Sequence, residues 1–373
     1  MNLIVALVIA SLVYIVQKRL YAKWWNRNLD VTISFEDTCV REGDASALTE
    51  VIYNGKFLPL PVFHVKFPTD RSFRFADTEN TVVTDSYYRN DVFSVLGYRK
   101  ITRRLPFQTG KRGLYGIPSL NMTARDFFMT TNFAYSRKSD AWLYVLPKRV
   151  ASPELSMFCS HLLGELETRR NQMEDPYTFR GIREYTYGDT YGKINWKATA
   201  KASKLMVNMY GYTSEQRVRI LLNLETNIMV KTEYLQEMSI RMAGTIAEYF
   251  LQHKVSVELV SNGIDCMTGA CERVEAGMSM EHGETIDKYL ARIKENAGID
   301  AFMQMVDTEI QQMEEPITYV IISPYYKEDL LLKLDYMHKK HPELHMVVPY
   351  YDIQDKTGWR GYMQGVEVKW NEI

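Results

Sequence analysis

The chain has 373 residues, 46% hydrophobic and 24% charged, which excludes a disordered protein and gives length for two hydrophobic cores. Its 45 Lys and Arg nearly balance 46 Asp and Glu, so the global basic surplus that nucleic-acid binding leaves on a sequence is missing. The 4 cysteines, Cys39, Cys159, Cys266 and Cys271, are too sparse for a disulfide-dense secreted module and fit a reducing compartment.

The first element lies at the amino terminus. Across residues 3–16 the one polar side chain is Ser11, and a helix of that stretch rises roughly 21 Å, short of a hydrocarbon core of about 30 Å. Lys18, Arg19 and Lys23 can snorkel, and Leu20, Tyr21, Trp24 and Trp25 supply interfacial surface, which extends the segment to a crossing length. A transmembrane anchor over residues 1–25 is therefore expected, with a signal peptide or a buried helix as alternatives. No basic residue precedes the apolar run and no A-x-A-like site follows it, which argues against the signal peptide. Lys18, Arg19, Lys23 and Arg27 all follow the span, so a single-pass cell-membrane protein with cytoplasmic soluble domains is expected.

Residues 30–148 read as an all-β sandwich. Short runs rich in Val, Ile, Phe, Tyr and Thr start at Val31, Leu48, Val62 and Thr81, and others cover 98–105, 114–122 and 142–146. His64 falls within a strand with no second ligand at useful spacing, and Gly110, Gly113 and Gly116 suit turns. After Pro153 the pattern becomes helical, with Leu155, Phe158, Leu162, Leu163 and Leu166 on one face and Ser152 as the amino-terminal cap. Residues 152–210 are expected to hold this linking helix and a distinctive segment. Residues 215–373 alternate apolar strands (217–225, 255–261, 317–323, 344–350) with helices near 231–252, 284–313 and 327–340, which predicts an α/β domain with a parallel sheet covered on both faces.

The distinctive segment runs Arg180-Gly181-Ile182-Arg183-Glu184-Tyr185-Thr186-Tyr187-Gly188-Asp189, followed by Lys193-Ile194-Asn195-Trp196-Lys197-Ala198-Thr199-Ala200-Lys201. Arg180, Arg183, Lys193, Lys197, Lys201 and Lys204 outnumber Glu184 and Asp189, giving a local surplus of four positive charges. Gly188-Asp189 predicts a turn and Asn195 a cap for a short helix, with Lys197 and Lys201 one turn apart on one face. One reading is a solvated basic helix with Trp196 and Tyr185 packed inward and Gly181, Gly188 and Trp196 architectural; the other is a docking surface built on Arg183, Lys197 and Lys201.

The order G-x-R-E-Y-x-x-G-D, then I-N-W-K-A-x-A-K and Leu205-Met206-Val207, resembles the signature of the bacterial domain-of-unknown-function family 58. Arg112-Gly113-Leu114-Tyr115, Arg125-Asp126-Phe127-Phe128 and Val145-Leu146-Pro147 are similar to further landmarks of that family, while Gly192 and Lys201 stand where it usually has arginine. The resemblance implies a membrane-tethered chain with a sandwich and a von Willebrand factor A-like domain, partnered with a MoxR-type AAA+ ATPase. It implies no enzymatic reaction and no cofactor. A von Willebrand A-like fold would put its D-x-S-x-S metal-ion-dependent adhesion motif at Asn223-Leu224-Glu225-Thr226-Asn227, where the first Asp and both Ser are replaced.

Enzyme signatures are missing. No G-x4-G-K-[ST] loop or G-x-S-x-G elbow occurs, Cys266 and Cys271 lack a second ligand pair, and Pro342 separates His338 and His341 from His345. The expected function is a non-catalytic adaptor or binding protein at the cytoplasmic face. The alternative is a divalent-metal-dependent ligand-binding or catalytic domain using Asn223, Glu225 and Asn227.

Overall fold

The apolar run forms helix α1 (Asn2–Trp24), and within it Leu3–Trp24, 22 residues with a rise of roughly 33 Å, is long and apolar enough to cross a membrane. The computed structural model describes residues 2–75, 81–83, 87–172, 174–212, 216–225, 233–294, 300–312, 317–350 and 359–367. Its contacts divide the chain into two compact units, Met1–Lys148 and Arg149–Ile373.

In the first unit the strands are β1 (Leu29–Phe35), β2 (Cys39–Arg41), β3 (Ala45–Asn54), β4 (Leu60–Thr69) and β5 (Phe73–Phe75). They continue with β6 (Thr81–Val83), β7 (Tyr87–Val95), β8 (Arg99–Thr109), β9 (Gly113–Arg125) and β10 (Asn132–Leu146). Two sheets result, ordered β1-β3-β8-β5 and β2-β10-β9-β4-β7-β6, antiparallel except where β2 joins β10. Alternate residues such as Leu48 and Ile52 of β3, Phe63, Val65 and Phe67 of β4, and Leu143 and Val145 of β10 are buried in one core, which gives the expected sandwich-like layering. Tyr21 and Trp25 join that core, so the end of α1 is fixed to this unit.

Strand β7 has no counterpart among the sequence expectations. Its inward positions include Arg89 and Asp91, both fully buried and paired at 2.8 Å, with Arg103 adding a second 2.8 Å contact to Asp91. A buried ion pair occupies positions where a period-two reading demands apolar residues.

The second unit begins with α2 (Pro153–Gln172), whose start is capped by Ser152 Oγ accepting from the Leu155 amide at 3.3 Å. This helix was expected as a link, yet Leu155, Cys159, Leu162 and Leu166 are buried in the core of the unit. Burial pushes the Cys159 thiol up to about 12, which makes it an inert packing group. Next come β11 (Glu174–Glu184), α3 (Trp196–Ala202) and β12 (Met206–Tyr212), then β13 (Arg217–Leu222), α4 (Glu233–Gln252) and β14 (Ser256–Ser261). The chain continues through β15 (Ile264–Asp265), β16 (Arg273–Gly277), α5 (Met280–Arg292), β17 (Ile293–Lys294) and α6 (Ala301–Gln311). It closes on β18 (Ile317–Ile322), α7 (Glu328–Lys340), β19 (Leu344–Tyr350) and β20 (Met363–Glu367).

The main sheet is ordered β16-β14-β13-β18-β19-β20, parallel throughout except for β16. Val218, Ile220 and Leu222 of β13 pack toward α2, α4 and α5, whereas Leu221 packs toward α6 and α7. Burial on both faces explains why these strands read as unbroken apolar runs. Arg149 ties the helical layer together by donating to both Asp287 carboxylate oxygens at 2.7 Å and to Glu248.

Candidate functional site

The segment 180–204 is not a free turn and helix, because β11 and β12 pair antiparallel around it, with Ile182 opposite Asn208 and Glu184 opposite Met206. Arg183 closes the ribbon by a two-pronged contact with Asp189, Nη1 to Oδ2 at 2.7 Å and Nη2 to Oδ1 at 2.6 Å. That guanidinium, helped by the Thr186 amide and hydroxyl, holds the Asp189 carboxyl well below the usual carboxylate range. Gly188 sits at φ +121, a conformation a side chain would strain. Gly181 is different: its φ is not positive, and a Cβ there would meet only the Met209 methyl at 3.7 Å, so glycine is not required.

Asn195 does cap α3, accepting from the Ala198 amide at 2.9 Å while donating to Asn208 Oδ1 at 2.7 Å. Thr199, one turn on, accepts from the Met206 amide at 3.0 Å, so this face of α3 lies on β12. Trp196 is rotated about 100° from Asn195 and Lys197 about 200°, which turns both away from the ribbon. Trp196 is accordingly 70% exposed, contrary to the expectation of a buried indole, and Tyr185 is only half-buried, stacked on Tyr191 at 6.1 Å. Lys197 and Lys201 are exposed, as are Arg180, Tyr187 and Tyr191; Lys204 instead pairs with Glu184 at 2.9 Å. Arg183 belongs to the scaffold, and the outward set is Tyr187, Tyr191, Trp196, Lys197 and Lys201.

The strand-end position behaves otherwise. Asn223 is fully buried; its Nδ2 donates to Ser323 Oγ at 2.9 Å, and its Oδ1 accepts from the Glu225 amide at 2.9 Å and Asn262 Nδ2 at 3.2 Å. Glu225 Oε1 accepts from the Phe302 amide of α6 at 2.9 Å, and burial raises its pKa above the usual value despite that bond. Asn227 lies outside the described residues. Among those described, no cluster of three His, Cys, Asp or Glu side chains is placed to hold a metal ion. Of the oxygens that would bind a hard cation, Asn223 Oδ1 and Glu225 Oε1 already accept from protein donors. Calorimetric titration with Mg2+, Mn2+ or Ca2+ should therefore give no heat of tight binding; a low-micromolar Kd lost in Glu225→Ala would overturn this.

A third feature joins residues far apart in sequence. A cleft of about 710 Å3 is lined by His161, Glu165, His338 and His345. Glu165 lies 3.3 Å from His161 Nδ1 and 3.2 Å from His345 Nε2, the latter without hydrogen-bond geometry. Burial lowers the His345 pKa, and Glu165 opposes that shift. His341 caps the end of α7 and does not line this cleft, so the spacing His338, His341, His345 is not a ligand triad. His161 carries no sequence signal that links it to the other two. His64 is structural, with Nδ1 3.1 Å from Asn90 Oδ1. None of the four cysteines is joined in a disulfide, and Cys271 Sγ donates to the Asn262 carbonyl at 3.2 Å.

No family model matches the chain, and no curated protein does either. Among solved structures, the chain is similar to the CARDB domain of a Pyrococcus furiosus protein at 12% identity and TM-score 0.19, covering 30% of this chain and 93% of that one. It is similar to BslA, a bacterial hydrophobin, at 12% identity and TM-score 0.21, covering 33% and 97%. Spo0M, a sporulation control protein of Bacillus subtilis, matches at 9% identity and TM-score 0.18, covering 42% and 58%.

Proposed function

We propose that this chain is a membrane-anchored, non-catalytic binding protein related to domain-of-unknown-function family 58. In this reading its soluble units face the cytoplasm and dock a MoxR-type AAA+ ATPase. The six-stranded sheet, parallel except at its β16 edge and with helices on both faces, supports a von Willebrand A-like assignment for the second unit, and Lys18, Arg19, Lys23 and Arg27, all after the apolar run, support the orientation. The observation that carries the reading is the outward face of α3, where Trp196 stands 70% exposed beside the exposed Lys197 and Lys201 on a ribbon fixed by Arg183 and Asp189. Exposed tryptophan on a rigid support is the residue type that most often dominates binding energy at protein interfaces.

Two variants test it. Trp196→Ala and the double reversal Lys197→Glu, Lys201→Glu should each leave the melting temperature nearly unchanged, because surface changes stay within about 0.5 kcal/mol. Each should weaken ATPase capture by the detergent-solubilised full chain at least about tenfold, a loss of 1.4 kcal/mol or more. The loss from the double reversal should be larger at low salt, where charge attraction is less screened. Full capture by both stable variants would leave α3 as a solvated face.

A further inference from the structure

The loops at the two ends of the first unit differ in chemistry. At the end where α1 enters, the loops after β3, β7 and β9 carry Phe57, Leu96, Tyr98, Phe127, Phe128 and Met129, exposed by 82, 61, 66, 61, 49 and 55%. Strand pairing fixes these loops at one end: Leu29, just after α1, opposes Asn54, while Leu60 opposes Val95 and Val62 opposes Arg125. The opposite end exposes Asp37, Asp44, Asp70 and Lys111 instead. Clustered apolar side chains on loop tips mark a surface that is covered in the working state.

What covers it follows from α1. Tyr14 lies 6.3 Å ring to ring from Phe128 and donates to Thr130 Oγ1 at 3.3 Å. Gln17 donates to Asp126 Oδ2 at 2.9 Å, and Tyr21 donates to the Pro59 carbonyl at 2.8 Å. The 126–131 turn is thus held beside the carboxyl-terminal half of the apolar helix. Asp126 braces it from within, accepting from the Thr130 amide at 2.6 Å, the Thr130 hydroxyl at 2.7 Å and the Thr131 amide at 3.0 Å, so the ion is fully satisfied while the aromatic rings point out.

Depth can be read along the helix. The exposed stretch 3–13, ahead of the first docked residue, rises only roughly 17 Å, about half of a hydrocarbon core. The first basic residues, Lys18 and Arg19, are exposed and belong at the phosphate level. Tyr14 precedes Lys18 by one turn, roughly 6 Å along the axis, and Phe128 packs beside Tyr14. A helix inserted as far as Lys18 therefore carries the turn with it. We propose that this end of the sandwich is a second membrane contact, a lipid-facing surface in which the Phe127–Met129 turn enters the headgroup and acyl boundary beside α1.

The inference rests on the anchored reading above, and the experiment separates the two. The full-length chain, with Phe127 or Phe128 replaced by p-benzoylphenylalanine, is reconstituted into vesicles of phosphatidylcholine and phosphatidylglycerol. A control carries the same residue at Ala45, on the opposite end of β3. Flotation reports anchoring, and mass spectrometry after irradiation reports covalent addition to lipid acyl chains. Lipid adducts at 127 or 128 and none at 45 are expected. A chain that floats with no adduct at either loop position overturns the second contact and leaves the anchor standing; a chain that does not float overturns both.

Discussion

Arg219→Ala should destabilise the second unit by about 3–5 kcal/mol, the range for removing one partner of a buried ion pair. Arg219 Nε donates to Glu258 Oε2 at 2.7 Å and Nη1 to Glu309 Oε2 at 2.6 Å, and the guanidinium lies 5.7 Å from the centre of the Tyr319 ring. Burial disfavours the charge on Arg219, yet the two carboxylates raise its pKa above the ordinary guanidinium value. Arg273 reaches the same pair, 3.3 Å from Glu258 Oε1 and in contact with Glu309 Oε1, but it is 33% exposed. Alanine at 219 would leave two buried carboxylates sharing that one cation. Calorimetry should record a fall of roughly 6–20 °C in the transition of this unit. Adding Glu258→Gln and Glu309→Gln should recover much of the loss, because the uncompensated charge leaves with them. A single-variant loss below about 1 kcal/mol would show that water or Arg273 already neutralises the site.

Glu50 should make the first unit less stable as pH rises. It is 1% exposed on β3, and burial first, then the charge of Asp91, raises its pKa to about 8, against opposing pulls from Arg103 and Arg89. A folded-state pKa above the usual 4.5 means that between about 4.5 and 8 the folded chain keeps a proton that the unfolded chain has released. Stability from this group is complete below that window and is lost as pH climbs through it. Glu50→Gln keeps the shape without the proton, so it should flatten the slope and raise stability at pH 8 by an amount on the order of a few kcal/mol. Urea denaturation from pH 5 to 9 checks this; parallel curves for wild type and variant would show that Glu50 does not titrate in the window.

Glu50 and Arg219 also mark the limit of the sequence reading. Neither attracts notice in a linear pattern, since a charged residue within a strand reads as solvent-facing until its partners on other strands are known. The expected strand at 344–350 is observed with the same bounds, and those expected at 217–225 and 317–323 are observed as Arg217–Leu222 and Ile317–Ile322, because a sheet covered on both faces demands unbroken apolar runs. Strand β7 escaped because Arg89 and Asp91 face inward. The ribbon β11 and β12 escaped because its pairing is made by backbone groups, and Ile182, Arg183 and Glu184 in succession are all exposed.

What the sequence determined by itself is local: the apolar helix at the amino terminus, the caps at Ser152 and Asn195, the turn at Gly188 and the alternation of strands and helices after Arg217. Those features follow from spacing and backbone preference within a few residues of chain. Tertiary structure alone decided that Trp196 faces outward, that Arg183 is spent on Asp189, and that Asn223 is locked between Ser323 and Asn262. It also decided that His161, His338 and His345 line one cleft and that apolar loops gather where α1 enters the sandwich. The reason is the same in each case: which face of an element is covered depends on partners brought in from distant sequence, and no local periodicity records them.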